Sequence, residues 1–254
     1  MNHQPRKRFG QNFLNDPLVI ERIVDLINPE NEQTVVEVGP GLGALTLPLL
    51  ERIESLQVIE IDRDLIVKLE ARNLEKLTIH ESDVLKVDWA SLANGQQLRI
   101  VGNLPYNIGT ALLLNLLHAR KHVLDVNVML QKEVVDRLCA QTGTRAYGRL
   151  SVLMQSCFEI QPLFDVPPSA FTPAPKVQSA VVRLKPLASS PDAETVEKLS
   201  RATRMAFANK RKTLRNNMKE TLTAQALIDA GLDPQTRAET LNLDQFLLLA
   251  KMLL

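Results

Sequence analysis

Glu37-Val38-Gly39-Pro40-Gly41-Leu42-Gly43-Ala44 is the stretch that decides how this 254-residue chain folds. It closes the β-branched run Thr34 to Val38 and opens a helix, and a glycine turn in that setting is where an α/β sheet receives a nucleotide-like ligand. Outward from it, similar short runs recur at Leu56 to Ile61, Leu77 to His80, Leu98 to Val101 and Val126 to Leu130. Helical segments lie between them: Arg63 to Asn73 behind an Asp62 cap, and Thr110 to Arg120 with Leu112, Leu113, Leu116 and Leu117 on one face. Upstream, Asp16-Pro17 followed by Ile20, Ile23, Val24 and Ile27 combines a cap, a proline at the first helical position and helical spacing. Strands alternating with helices predict a mostly parallel sheet covered on both faces. Two later runs, Ser151 to Ile160 and Ser179 to Leu184, are expected to form an antiparallel edge, which makes seven strands.

The polar, proline-containing stretch Leu187-Ala-Ser-Ser-Pro-Asp192 reads as a linker, so the expected domains are residues 1–187 and 188–254. The second reads as all helical. Phe246, Leu247, Ala250, Leu253 and Leu254 fit a helix cleanly; Val196, Leu199, Thr203, Met205 and Ala206 fit one less cleanly, and Gly231 with Pro234 interrupts the region.

With 45% hydrophobic residues the chain can bury a substantial core without staples. Cys139 and Cys157 are far apart and His3, His80, His118 and His122 form no ligand pattern, so neither a disulfide framework nor a metal is expected. No apolar run reaches membrane-spanning length and the start lacks an apolar leader core, which predicts a cytoplasmic protein. The net charge of +1 conceals asymmetry: Arg201 to Lys219 holds seven basic residues and no acid. Arg6-Lys7-Arg8 forms a second cluster, and Lys176, Arg183 and Lys185 lie in an acid-free stretch from Val166 to Leu187. One such run is ordinarily a solvated helix face; three point to phosphate contacts.

The glycine turn alone is ambiguous. Gly39, Gly41 and Ala44 also satisfy a dinucleotide pattern, with Glu60 placed close to its ribose acid, and a glycine turn can bind nothing at all. Three acids favour S-adenosylmethionine. Glu37 puts a carboxylate on a buried strand end, where a ligand's ammonium would compensate it. Glu60 can accept from both ribose hydroxyls, and Asp83 can accept from an adenine amine while the Val84 amide donates to the ring. The alternative for Asp83 is a turn-capping residue. Acids at three successive strand ends suit adenosine plus a charged amino acid better than a pyrophosphate.

Val101-Gly102-Asn103-Leu104-Pro105-Tyr106 ends the fourth strand at the same cleft, and its residue types suit methyl transfer to an adenine amine. That nitrogen is a poor nucleophile because its lone pair is delocalised into the ring. The Asn103 side-chain oxygen and the Leu104 carbonyl can accept its two hydrogens and draw it toward a tetrahedral geometry. Pro105 biases Leu104 away from the helical region, and Tyr106 offers a ring on which an unstacked base can rest. The competing reading is a proline turn with a packed tyrosine.

These motifs resemble those of the small-subunit ribosomal RNA adenine N6-dimethyltransferases of the KsgA/RsmA family, and the resemblance spans nearly the whole chain. Phe9-Gly10-Gln11-Asn12-Phe13-Leu14 is similar to the family's N-terminal signature, in which Asn12 and Leu14 would help hold the cofactor. Glu37 to Thr46, Glu60-Ile61-Asp62, Asp83 and Asn103 to Tyr106 follow in the family's order. Pro167 to Val182 resembles its late motif, whose Phe171 would close over the target base. The resemblance implies a Rossmann-like S-adenosylmethionine-dependent methyltransferase fold with a small helical C-terminal domain. It implies dimethylation of two adjacent adenosines in a hairpin near the 3′ end of 16S rRNA, within an immature ribosomal subunit. Lys210, Arg211, Lys212 and Arg215 would grip rRNA, with Arg149 a further contact, and a monomer is expected. Relatives often carry serine at the position of Gly109, so Thr110 is expected to take over capping of the following helix. The rival readings are a large-subunit rRNA adenine methyltransferase, a non-enzymatic RNA-binding assembly factor and a dehydrogenase.

Overall fold

The computed structural model describes residues 11–253; Arg6-Lys7-Arg8, Phe9 and Gly10 lie outside the described residues. By internal contacts the chain forms two compact units, Met1–Val135 with Ile160–Pro186, and Asp136–Glu159 with Leu187–Leu254.

The strands are β1 (Phe13–Leu14), β2 (Thr34–Val38), β3 (Leu56–Glu60), β4 (Leu77–Glu81), β5 (Leu98–Asn103), β6 (Val123–Gln131), β7 (Phe158–Val166), β8 (Phe171–Thr172) and β9 (Ser179–Pro186). Seven of them form one sheet in the order β4-β3-β2-β5-β6-β9-β7, while β1 pairs with β8. The pairs from β4 through β6 are parallel and β6 with β9 is antiparallel, as the alternation of strands and helices predicts. The chain turns outward in opposite directions from β2, to β3 on one side and β5 on the other. That order reversal leaves a crevice beyond the C-terminal ends of β2 and β5. β2 and β5 approach closely there: a Cβ on Gly102 would lie 2.5 Å from the Val38 carbonyl oxygen, so the position admits no side chain without backbone movement.

The helices of the first unit are α1 (Pro17–Ile27), α2 (Thr46–Leu50), α3 (Arg63–Glu70), α4 (Trp89–Ala93) and α5 (Gly109–Ala119); α6 (Lys132–Leu138), which runs on from β6, spans the division between the units. Asp16 caps α1 by accepting from the Leu18 and Val19 amides at 3.0 and 3.2 Å. Ile23, Val24 and Ile27 of α1 enter a core with Val35, Leu56, Val58 and Val101 of the sheet and Leu14 and Phe171 of the β1–β8 pair. At its other end, α1 presents carbonyls that no longer have intrahelical donors. Arg99 satisfies two of them, donating to Ile27 and Asn28 at 3.0 and 3.1 Å, while gripping Asp125 bidentately at 3.0 and 2.9 Å. Arg183 donates to the Leu26 carbonyl and, at 2.7 Å, to Asn127, which in turn donates to Asp125.

Two local expectations are corrected. Ser151 to Ile160 is not one strand: Arg149–Gln155 is helix α7, and β7 begins at Phe158. Ser151 decides this, because its hydroxyl accepts from the Gly148 amide at 3.1 Å and donates to the Arg137 carbonyl at 2.6 Å, which starts a helix. Nor does Thr110 cap α5. The N-cap is Ile108, without a side-chain bond, and Gly109 is the first helical residue. A Cβ on Gly109 would meet Leu130 Cδ2 at 2.6 Å, so the Leu130 methyl fills the space that serine needs.

In the second unit, α8 (Ala193–Ala206), α9 (Leu214–Met218), α10 (Ala224–Asp229) and α11 (Leu243–Lys251) join α7. The stripe of α8 is regular once Ala202 replaces Met205: Val196, Leu199, Ala202, Thr203 and Ala206 are the buried residues. Phe207 stacks on Phe246 with ring centres 5.5 Å apart, and Tyr147 meets Phe207 edge-on at 6.3 Å. A single boundary at 187 therefore differs from the observed units. The segment Asp136–Glu159 joins the tail through these rings, through Gly143 donating to the Glu239 carbonyl at 2.7 Å, and through Arg149 donating to Ser200 at 3.1 Å.

Candidate active site

All of the residues expected to bind cofactor or act in catalysis line one cavity of about 360 Å3 at the crevice of the first unit. From the N-terminal signature come Asn12 and Leu14; from the ends of β2 and β3 and the turns after them, Glu37, Gly39, Gly41, Glu60 and Ile61; after β4, Asp83 and Val84. Asn103, Leu104, Pro105, Tyr106 and Phe171 complete it. The topology explains the convergence, since parallel strands release their C-terminal loops on one side.

Glu37 is buried, and Thr46 donates to its Oε2 at 2.7 Å. Burial pushes its pKa up to about 7; the Thr46 bond pulls it down, and the Glu60 carboxylate pushes it up. The sequence reading includes Thr46 only as the end of the motif Glu37 to Thr46; its bond to Glu37 emerges from its place at the start of the helix that the glycine turn opens. Glu60 holds the turn after β3, its Oε1 accepting from the Ile61 and Asp62 amides at 2.8 and 2.9 Å. Its pKa is also raised, by burial against the pull of backbone hydrogen bonds. Asp83 uses one oxygen as a turn cap, accepting from the Leu85 amide at 3.0 Å, yet it also faces the cavity. The capping reading is thus seen, and the place of Asp83 on the cavity wall is compatible with the other.

Residues 11–15 lie across this crevice as a strap. Gln11, absent from the expected site residues, donates to Asp62 Oδ2 at 3.0 Å. Phe13 pairs with Thr172 and Leu14 with Phe171, and Asn15 donates to the Thr172 hydroxyl at 2.6 Å. The Phe13 ring presses on the glycine turn: a Cβ on Gly41, whose φ is +58°, would lie 3.2 Å from it. Phe171 is thereby buried in the core cluster while one part of it faces the cavity.

The strap also orients Asn103, whose Nδ2 donates to the Asn12 carbonyl at 3.1 Å. A carbonyl can only accept, so this contact fixes which end of the amide is which and leaves Oδ1 as the other, accepting, end. Leu104 is anchored by its amide, which donates to the Met129 carbonyl at 3.1 Å. The Pro105 carbonyl accepts from Ile108 and Gly109 at 3.1 and 3.3 Å, which closes the turn. Tyr106 projects from that turn, half-buried, with its hydroxyl 2.9 Å from Ser179 Oγ.

The residues present fit S-adenosylmethionine. The Glu37 carboxyl, whose ionisation burial disfavours and only the Thr46 hydroxyl assists, suits a ligand that brings an ammonium group, whereas a diphosphate would make ionisation harder still. Among the described residues no group of His, Cys, Asp and Glu could hold a metal ion, and no helix is long and apolar enough to cross a membrane.

The expected RNA contacts lie in the second unit and differ in setting. Lys210, Arg211, Lys212 and Arg215 are exposed. Asn217 holds their loop, its Nδ2 donating to the Ala206 and Asn209 carbonyls at 2.7 and 3.1 Å. Arg149 is half-buried against Ser200, and its Nε is buried without a hydrogen-bond partner among the described residues.

Residues 2–254 match the family model described as ribosomal RNA adenine dimethylase. The chain is 52% identical over 246 residues to the Ribosomal RNA small subunit methyltransferase A of Aromatoleum aromaticum, covering 96% of this chain and 92% of the relative. It is 50% identical over 255 residues to the protein of the same name from Methylococcus capsulatus, covering 100% and 99%. Among solved structures, a dimethyladenosine transferase from Plasmodium falciparum superposes with a TM-score of 0.79 at 25% identity, over 93% of this chain and 95% of that one. The 23S rRNA methyltransferase ErmE shares the fold, with a TM-score of 0.70 at 24% identity over 95% and 99%. A full-length family match, relatives near half identity, and a crevice lined by the family's motif residues together place this chain in the ribosomal RNA adenine dimethylase family.

Proposed function

We propose that this enzyme dimethylates the N6 atoms of two adjacent adenosines near the 3′ end of 16S rRNA, with S-adenosylmethionine as methyl donor. It acts as a monomer on an immature small subunit in the cytoplasm, where that substrate is assembled. The cofactor, when bound, supplies a methyl group made electrophilic by a positively charged sulfur. The protein's residues make the amine reactive. Asn103 Oδ1 and the Leu104 carbonyl accept the amine's hydrogens, which withdraws the lone pair from ring conjugation, and Tyr106 carries the base. Phe171 closes the base side of the cavity. Glu37, Glu60 and Asp83 receive the cofactor's ammonium, ribose and adenine respectively, while Gly39 and Gly41 let the turn come close to it. Asn12, Leu14, Ile61 and Val84 line the rest of that subsite.

The single observation that carries this reading is the Asn12 contact, which occupies the donor end of the Asn103 amide and leaves its accepting end for an amine at the cavity. The helical second unit serves as the RNA-binding domain through Lys210, Arg211, Lys212 and Arg215. Arg149 supports it by joining α7 to α8. The test is transfer of tritiated methyl groups to unmethylated small subunits, followed by nucleoside analysis. N6,N6-dimethyladenosine in 16S rRNA is expected, and label confined to large-subunit rRNA would overturn the substrate assignment.

A further inference from the structure

Ser179 opens β9 opposite Gln131, the last residue of β6, and β6 separates it from the strand that ends in Asn103. It is fully buried and is followed by apolar Ala180, Val181 and Val182. A hydroxyl in such a place costs stability unless it is paired. Its pairing is with the Tyr106 hydroxyl, 2.9 Å away and 73 residues earlier in the chain.

We infer that Ser179 is a positioning residue for methyl transfer: by holding the Tyr106 hydroxyl it fixes the ring on which the target adenine rests, and so the place where the amine meets Asn103. This rests on the reading of Tyr106 as the base platform. A phenol keeps its O–H and its best acceptor direction near the ring plane, because the oxygen is conjugated with the ring. A fixed partner at the hydroxyl therefore restrains rotation of the ring about its axis. It also restrains χ1 from the far end of the side chain, where the lever arm is longest. Without it, packing alone would hold the two side-chain torsions of the half-buried Tyr106. Burial raises the pKa of Tyr106 above the ordinary phenol value, so the hydroxyl stays protonated and able to donate or accept.

The alternative is that the two hydroxyls merely satisfy each other for stability. A double-mutant cycle in the full chain separates these roles, with single-turnover methyl transfer measured at saturating cofactor and rRNA alongside both affinities. Ser179→Ala and Tyr106→Phe are each expected to slow transfer about tenfold while both affinities stay within about twofold. The double variant should show about the same tenfold loss, where independent effects would give about a hundredfold. Multiplicative losses, a silent Tyr106→Phe, or a Ser179→Ala that lowers only thermal stability overturns the inference. Tyr106→Phe keeps the ring's volume, so it remains decisive if Ser179→Ala does not fold. Tyr106→Leu tells the two failures apart. A wild-type rate in that variant refutes the stacking reading, whereas a slow Tyr106→Leu beside a silent Tyr106→Phe refutes only the role of Ser179.

Discussion

Glu37, in the role proposed for it, would link folding to ligand affinity through one buried side chain. Its pKa stands near 7 in the folded protein against 4.5 for the free side chain. A raised folded-state pKa contributes stability that is complete below pH 4.5 and is lost as pH rises through 7. The loss for the cofactor-free protein is about 3 kcal/mol. An incoming ammonium reverses the preference, so on the proposed role affinity for S-adenosylmethionine should rise with pH, by up to about tenfold per unit, as Glu37 ionises toward pH 7. Calorimetry at pH 6, 7 and 8 checks this; a flat profile, or an unchanged slope in Glu37→Gln, contradicts it. For Asn103→Ala, a fall of about 10²- to 10⁴-fold in turnover with RNA affinity retained is expected. Turnover near wild type would remove Asn103 from the chemistry. At this scale the sequence was informative wherever a residue stands within a short motif at a strand end, as Glu37, Glu60 and Asn103 do, because the parallel topology brings those ends to one cavity. It was silent on Ser179 and on Gln11, whose partner Asp62 lies 51 positions away, because only tertiary structure brings those pairs together.

Among the elements, the parallel strands and α1 were legible because each carries local signals: a proline and a cap for α1, a β-branched run meeting a glycine for β2 and β5, and an apolar run meeting an aspartate turn for β3 and β4. α7 was not, since Leu150, Val152, Leu153 and Met154 suit a strand as well as a helix. The Ser151 bond that selects helix reaches the Arg137 carbonyl, 14 residues away. α8 was blurred for a different reason, the smallness of Ala202, which belongs to the buried stripe without looking hydrophobic enough to define it. The placing of α1 yields a prediction. Arg99→Met removes two carbonyl partners of the helix end and leaves Asp125, whose side chain is 3% exposed, without its ion-pair partner and with only the Asn127 amide donating to it. A loss of about 3–5 kcal/mol in denaturant unfolding is expected. Replacing Asp125 by leucine in the same protein should recover part of it, and a loss below about 1 kcal/mol would mean that water compensates the carboxylate.

For the whole molecule, composition gave a misleading average. A net charge of +1 conceals a tail rich in exposed lysine and arginine, and the arrangement along the chain, not the sum, points to a polyanion. Neutralising Lys210, Arg211 and Lys212 together should weaken rRNA binding and lower the magnitude of its salt slope by about 3, with cofactor affinity unaltered. An unchanged slope would remove this loop from the interface. Asn217 adds a temporal consequence. Because its side chain ties the loop backbone to the end of α8, RNA binding through that loop, as proposed, should require little backbone ordering, and the entropy lost on that account should be small. Encounter is then governed by the electric field more than by rearrangement of the protein. Raising the ionic strength should therefore slow capture of the RNA much more than it hastens its escape.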